Sequence, residues 1–316
     1  MIRLPLVLLS LIALFSFSSD GDYLTIGTHD EAGYCVVFHP DNNILASGGN
    51  DNKIFLWDVA KQQQVKSFVA HSVGVSDLVF SPDGKHLISA GMDKVIKVWD
   101  CTTWKLYKTL SGHGKQVLSL AISPDGQYLY SGGDDQKIIK WNLNTYAKEG
   151  EKTGPSERVL SLDISGNGKY LVATGGNRVT KTTGNLQIWT TVNFDISYTL
   201  EEETYAIQDA KLSNGGTLLL YAGNFSEAIL MKWKDNKVAA KMAVTDFSIN
   251  AVILDGIQGY FGSGFNGEVV SWKVGQPKAA EKRHEKDVND LSLSGDKKHL
   301  ASIGSDGKVV VKNMVP

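Results

Sequence analysis

Short apolar runs alternate along this chain with clusters of Gly, Asp, Asn, Ser and Pro. The stretch SGGNDNKIFLWD (Ser47–Asp58) opens on turn-forming residues and closes on an apolar segment that carries Trp57. That order predicts a turn followed by a buried strand. The pattern returns as SAGMDKVIKVWD (Ser89–Asp100) and as SGGDDQKIIKWN (Ser131–Asn142), so that Trp57, Trp99 and Trp141 stand 42 residues apart. A second block precedes each copy: CVVFHPDNNILAS, VSDLVFSPDGKHLIS and VLSLAISPDGQYLYS. Alternating strands and Pro-Asp-Gly or Gly-Gly-x-Asp turns fill each unit, and no helical period of useful length interrupts them.

Weaker copies continue to the C-terminus. VLSLDISGNGKYLVA leads to Trp189, AIQDAKLSNGGTLLLY to Trp233, and GYFGSGFNGEVVSW ends on Trp272. The last copy, VNDLSLSGDKKHLASIGSDGKVVVKN, has Lys312 in place of the tryptophan. Seven such units account for nearly all of residues 20–316, and almost nothing is left for a second domain. Short strands at an even period of about 40–45 residues indicate sheets repeated radially around a channel.

With its Gly-His, Ser-Pro-Asp-Gly and Trp-Asp elements in order, the block resembles the WD-repeat β-propeller family. The resemblance implies an all-β fold: a single seven-bladed β-propeller of four-stranded antiparallel blades. The chain ends after VVVKN, so the last blade lacks its outer strand. DYLTIGT (Asp22–Thr28), placed before His29 as LYKTLSG is before His113, is expected to supply it from the N-terminus.

Ser, His and Asp side chains recur at fixed spacing: His29, Ser47, Asp51; His71, Ser89, Asp93; His113, Ser131, Asp135. A nucleophilic triad has this composition. Catalysis needs one activated nucleophile beside one oxyanion hole, not three copies in separate blades. The resemblance implies instead that each set joins Trp57, Trp99 or Trp141 in a buried structural tetrad, in which every polar group finds a partner. The seventh unit keeps His284, Ser302 and Asp306. The fourth has Pro155 and Ala173 at the His and Ser positions, so blades four to six are expected to be the less rigid side of the ring. GSGFNG (Gly262–Gly267) matches a dinucleotide-binding pattern, but a strand rather than a helix follows it. It reads as a blade turn.

Residues three and five after each His, and the one before each Asp, are contact positions in the family. They fall on Ala32, Tyr34 and Asn50, on Gly74, Ser76 and Met92, and on Gln116, Leu118 and Asp134. Arg158 and Leu160 align in the fourth unit, Phe265 in the sixth, and Asp287, Asn289 and Ser305 in the seventh. Tyr34, Met92, Leu118, Arg158, Leu160 and Phe265 are therefore candidates for a partner-binding rim. The fourth unit also carries an insertion, NRVTKTTGN (Asn177–Asn185), expected to project from that face. On the opposite face, Trp104, Tyr146 and Phe194 each follow a tryptophan by five residues and are candidates for an aromatic strip.

Composition narrows the function classes. Of 316 residues, 42% are hydrophobic, enough for a globular core. A net charge of -2 gives no field that favours nucleic acid or membrane. The arginines are only Arg3, Arg158, Arg178 and Arg283, which also argues against nucleic acid as a partner. Cys35 and Cys101 form no disulfide framework and no zinc spacing.

MIRLPLVLLSLIALFSFSS reads as a signal peptide over residues 1–19, which implies a secreted, periplasmic or secretory-lumen protein after cleavage and a cytoplasmic one otherwise. No stable membrane span is expected after cleavage. In a eukaryotic secretory pathway Asn224-Phe225-Ser226 is a glycosylation sequon.

The expected function is a non-catalytic scaffold for a protein or peptide partner, with no cofactor and no metal. The alternatives are an extracytoplasmic small-molecule or glycan binder and, further off, a propeller enzyme with a channel metal site. For the last, Asp77, Asp163, Asp209 and Asp290 read as recurring at one inner-strand position.

Overall fold

The computed structural model describes residues 23–155, 157–176, 184–202, 206–243, 248–256, 258–264, 266–275 and 278–314. The leader, Phe265 and residues 177–183 of the insertion lie outside them. The described residues form seven four-stranded antiparallel sheets. In the first, the strands run Gly33–Phe38, Ile44–Gly49, Lys53–Asp58 and Gln63–Val69, from the channel outward.

Burial explains the order. In six of the blades the second strand is buried at nearly every position, and small residues such as Ala46, Ser47 and Gly48 let the neighbouring blades approach. The outer strand Gln63–Val69 is mostly exposed and correspondingly polar. Apolar side chains pack between adjacent blades: Ile54 and Leu56 of the first blade meet Val75, Leu78 and Leu87 of the second. Each inter-blade layer is thus a sheet-on-sheet core.

The chain's two ends meet in one sheet. Tyr23–Thr28 pairs antiparallel with Lys308–Asn313, Tyr23 opposite Lys312 and Thr28 opposite Lys308. The same sheet continues inward through His299–Gly304 to Val288–Leu293. That inner strand packs beside Gly33–Phe38, so the first and last blades are neighbours in space.

One irregularity recurs at the start of every inner strand. Gly33 faces Gly49 and Cys35 faces Gly48, which makes Tyr34 the extra residue of a β-bulge. The bulge repeats at Ser76, Leu118, Leu160, Gln208, Asn250 and Asn289. A bulge re-aims the side chain of its extra residue. Here seven side chains are turned at the same level of the ring.

Candidate functional site

In the first three blades, at the end where the inner strand begins, the repeated polar sets close on themselves. His71 Nδ1 lies 2.8 Å from Asp93, His71 Nε2 lies 2.8 Å from Ser89 Oγ, and Trp99 Nε1 donates to Ser89 Oγ at 2.9 Å. The first and third blades repeat the pattern, with Trp57 on Ser47 and Trp141 on Ser131 at 2.8 Å.

Burial raises the Asp93 carboxyl, but the Ser72 N–H and the His71 ring outweigh it and hold the group below its ordinary value. An ionised carboxylate only accepts, so Nδ1 carries the proton and Nε2 accepts the serine O–H. Burial depresses His71 itself, which keeps the ring neutral. Ser89 is fully buried and its oxygen is engaged on both sides, so no open face remains for a substrate carbonyl. The recurring glycine belongs to this arrangement too. A Cβ on Gly91 would sit 2.2 Å from both Asp93 Oδ1 and His71 Nδ1.

Above the tetrads, the channel opens into a mouth of about 220 Å³. It is lined by six of the seven bulge residues together with Met92, Gln116 and Arg158. Some of these side chains tie the ring together. Asn289 Nδ2 donates to Gly33 O at 2.7 Å, Asn250 Nδ2 to Val288 O at 3.0 Å, and the Ser76 hydroxyl to Val117 O at 2.5 Å. Tyr34, Leu118 and Leu160 form the less polar arc, half-buried rather than fully exposed. Met92 lies over Gly74, where a Cβ would meet its sulfur at 2.8 Å. Arg158 pairs with Asp134 of the preceding blade, which fixes its guanidinium at the rim.

Four copies of one family model, described as WD domain, G-beta repeat, match residues 28–58, 62–100, 104–142 and 275–311. The chain belongs to the WD-repeat β-propeller family. No curated protein matches it. The described residues between 143 and 274, which the family model does not match, form blades of the same four-stranded kind. The tetrad is lost there: Trp189 is buried with its indole N–H unpartnered, and Trp233 donates instead to Gly216 O at 2.9 Å.

Two sequence expectations need correction. Trp104, Tyr146 and Phe194 occupy a left-handed turn position, with φ of 56°, 58° and 56°. Their rings pack into the layers between adjacent blades, Tyr146 against Tyr107 of the preceding blade, and Phe194 is buried beside Tyr130 of the preceding blade and Trp189 of its own. An open three-residue strip on this face therefore does not form. Apolar burial outweighs the backbone cost of the turn.

The channel aspartates do not share one position. Asp77, Asp209 and Asp290 share a register with Cys35, Ser119, Ser161 and Ala251, whereas Asp163 lies two residues further on. Their chemistry is still common. Asp77 accepts from Leu120 N at 2.7 Å, Asp209 from Val252 N at 2.9 Å, Asp290 from Val36 N at 2.9 Å and Asp163 from Leu212 N at 2.8 Å. Each carboxyl thus caps an N–H of the next blade's inner edge, which would otherwise go unpaired. Burial pushes Asp77 and Asp163 up to about 6. Burial, then the charge of Asp77, pushes Asp290 up to about 8. Lys211 bonds Asp209 at 2.9 Å, and the Asp209 and Asp163 charges hold its ammonium above its ordinary value despite burial. Among the described residues no group of three or more His, Cys, Asp or Glu side chains converges in a way that could hold a metal ion.

In the sequon, Asn224 Oδ1 accepts from Gln208 Nε2 at 2.9 Å and from the Ser248 hydroxyl at 3.2 Å. Asn250 is the mouth residue that sequence comparison missed. The degenerate sixth unit hides its alignment, and only the recurrent bulge reveals it.

Proposed function

We propose that this chain is a seven-bladed, non-catalytic interaction platform that holds a protein or peptide partner at the channel mouth on the tetrad end. One observation carries the reading. Tyr34, Leu118 and Leu160 come from three different blades, and the same bulge turns each of them into one opening. A rigid scaffold that presents loop-end side chains at one level suits recognition, and half-buried aromatic and aliphatic groups beside a fixed Arg–Asp pair suit a peptide. The tetrads supply the rigidity. A glycan-binding reading has less support, because Tyr34 is the single aromatic ring among the described residues of the mouth.

The leader composition supports export, which places the partner in the periplasm, the secretory lumen or outside the cell. Among the described residues no helix is long and apolar enough to cross a membrane. The test is a Tyr34→Ala/Leu118→Ala protein used as bait beside the native chain in an extract of its own host. The partner is lost from the variant while its melting temperature is kept. Equal recovery of every bound protein by both baits contradicts the assignment.

A further inference from the structure

On the face opposite the tetrads, a cleft of about 450 Å³ opens between the second and third blades. Three rings line it in sequence. His86 and Tyr107 have centroids 5.3 Å apart and planes inclined by 50°, and Tyr107 and Tyr146 are 5.6 Å apart at 58°. Tyr107 stands on the outer strand with more than half of its surface exposed, and Tyr146 packs behind it. Neither tyrosine hydroxyl has a hydrogen-bond partner among the described residues.

Two carboxylates face the same cleft, Asp83 and Asp125 of successive Ser-Pro-Asp-Gly turns. Asp83 spends Oδ1 on the Ser81 hydroxyl and the Lys85 N–H, and Asp125 spends Oδ1 on the Ser123 hydroxyl and the Gln127 N–H. These bonds hold Asp83 down to about 2 and Asp125 below its ordinary value, so both are anionic at any physiological pH. Asp83 Oδ2 faces the exposed Lys85 ammonium at 3.2 Å. Asp125 Oδ2 has no partner among the described residues. Ile88, Val98 and Leu143 complete an apolar wall.

We propose that this cleft receives a lysine side chain from a basic peptide. The apolar wall matches the four-carbon stem, the ring faces attract an ammonium, and the open Asp125 oxygen accepts its N–H. The inclination of the rings decides against a sugar as occupant. Stacking on a pyranose needs an open flat face, whereas mutually tilted rings enclose a compact cation. This site lies on the other end of the ring from the mouth and does not depend on it.

Amide NMR on the whole chain tests it, with N-acetyl-lysine methylamide and its Nε-trimethyl and Nε-acetyl forms as probes and cellotriose as the carbohydrate arm. The two cationic probes should give saturable shifts at Gly126, Gln127, Asn144 and Tyr146, with the neutral Nε-acetyl form about tenfold weaker. Tyr107→Ala, an exposed change, and Asp125→Asn, which keeps an acceptor for its turn, should each weaken the cationic probes several-fold and leave first-blade amides in place. Equal shifts from the Nε-acetyl probe, saturation by cellotriose alone, or no localised shift from any lysine probe overturns the proposal.

Discussion

Trp189 is buried with an unsatisfied indole N–H because Ala173 stands where the first three blades place the accepting serine. Opposite Ala173 on the next strand, Gln187 Oε1 is also buried without a partner. A hydroxyl at residue 173 has both needs within its reach: it can accept from Trp189 and donate to Gln187. Ala173→Ser should therefore stabilise the protein by about 1 kcal/mol, the usual net value of a buried hydrogen bond. Urea unfolding of the variant beside the native chain checks this, and a loss of stability would mean that the fourth blade has no room for the hydroxyl.

The intact tetrads predict the reverse. Ser89→Ala strips Trp99 Nε1 and His71 Nε2 of their shared partner inside a fully buried site. The expected cost is about 1–3 kcal/mol of folding stability, with partner binding at the mouth retained once the fold is restored by cooling. Thermal unfolding and a binding titration on the same sample separate the two effects.

The channel acids and the tetrad histidines pull stability in opposite directions with pH. Asp290 and Asp77 are raised in the folded chain, so the native state keeps protons that the unfolded chain gives up above about 3.8. Their contribution is complete below that value and is lost as pH rises through about 6 and about 8. His71 and His284 are depressed by burial, so the unfolded chain binds protons first and stability falls as pH drops below 6.5. Because Asp77 raises Asp290, Asp77→Asn should move the Asp290 transition to lower pH. Carboxyl carbon NMR reads that shift directly, and an unmoved Asp290 would mean that burial alone sets it.

Much of this architecture was legible because the physics repeats with the sequence. Trp57, Trp99 and Trp141 recur at a fixed interval since each must meet a serine on the neighbouring strand, and Gly49, Gly91 and Gly133 recur since a Cβ would press on the Ala32 carbonyl, the His71–Asp93 pair and the Gln116 carbonyl in turn. The bulge at Tyr34, Leu118 and Leu160 carries no residue signature, because what recurs there is a backbone irregularity that admits tyrosine, leucine, serine or asparagine alike. Alignment by spacing still reached these positions in the regular units and missed Asn250 in a degenerate one. Asp163 was misassigned for a related reason. A two-residue step along a strand returns to the same face, so the carboxylate does the same capping one rung lower. The turn positions of Trp104, Tyr146 and Phe194 suggest exposure, yet their rings pack into the apolar layers between neighbouring blades.

The channel-mouth assignment is tested most directly by hydrogen–deuterium exchange on the native chain with and without the partner that the Tyr34→Ala/Leu118→Ala bait loses. Protection on binding should centre on the segments around Tyr34, Ser76, Met92, Leu118 and Leu160, which come together only at the mouth. Protection confined to other surfaces, with those five segments unchanged, would contradict the account.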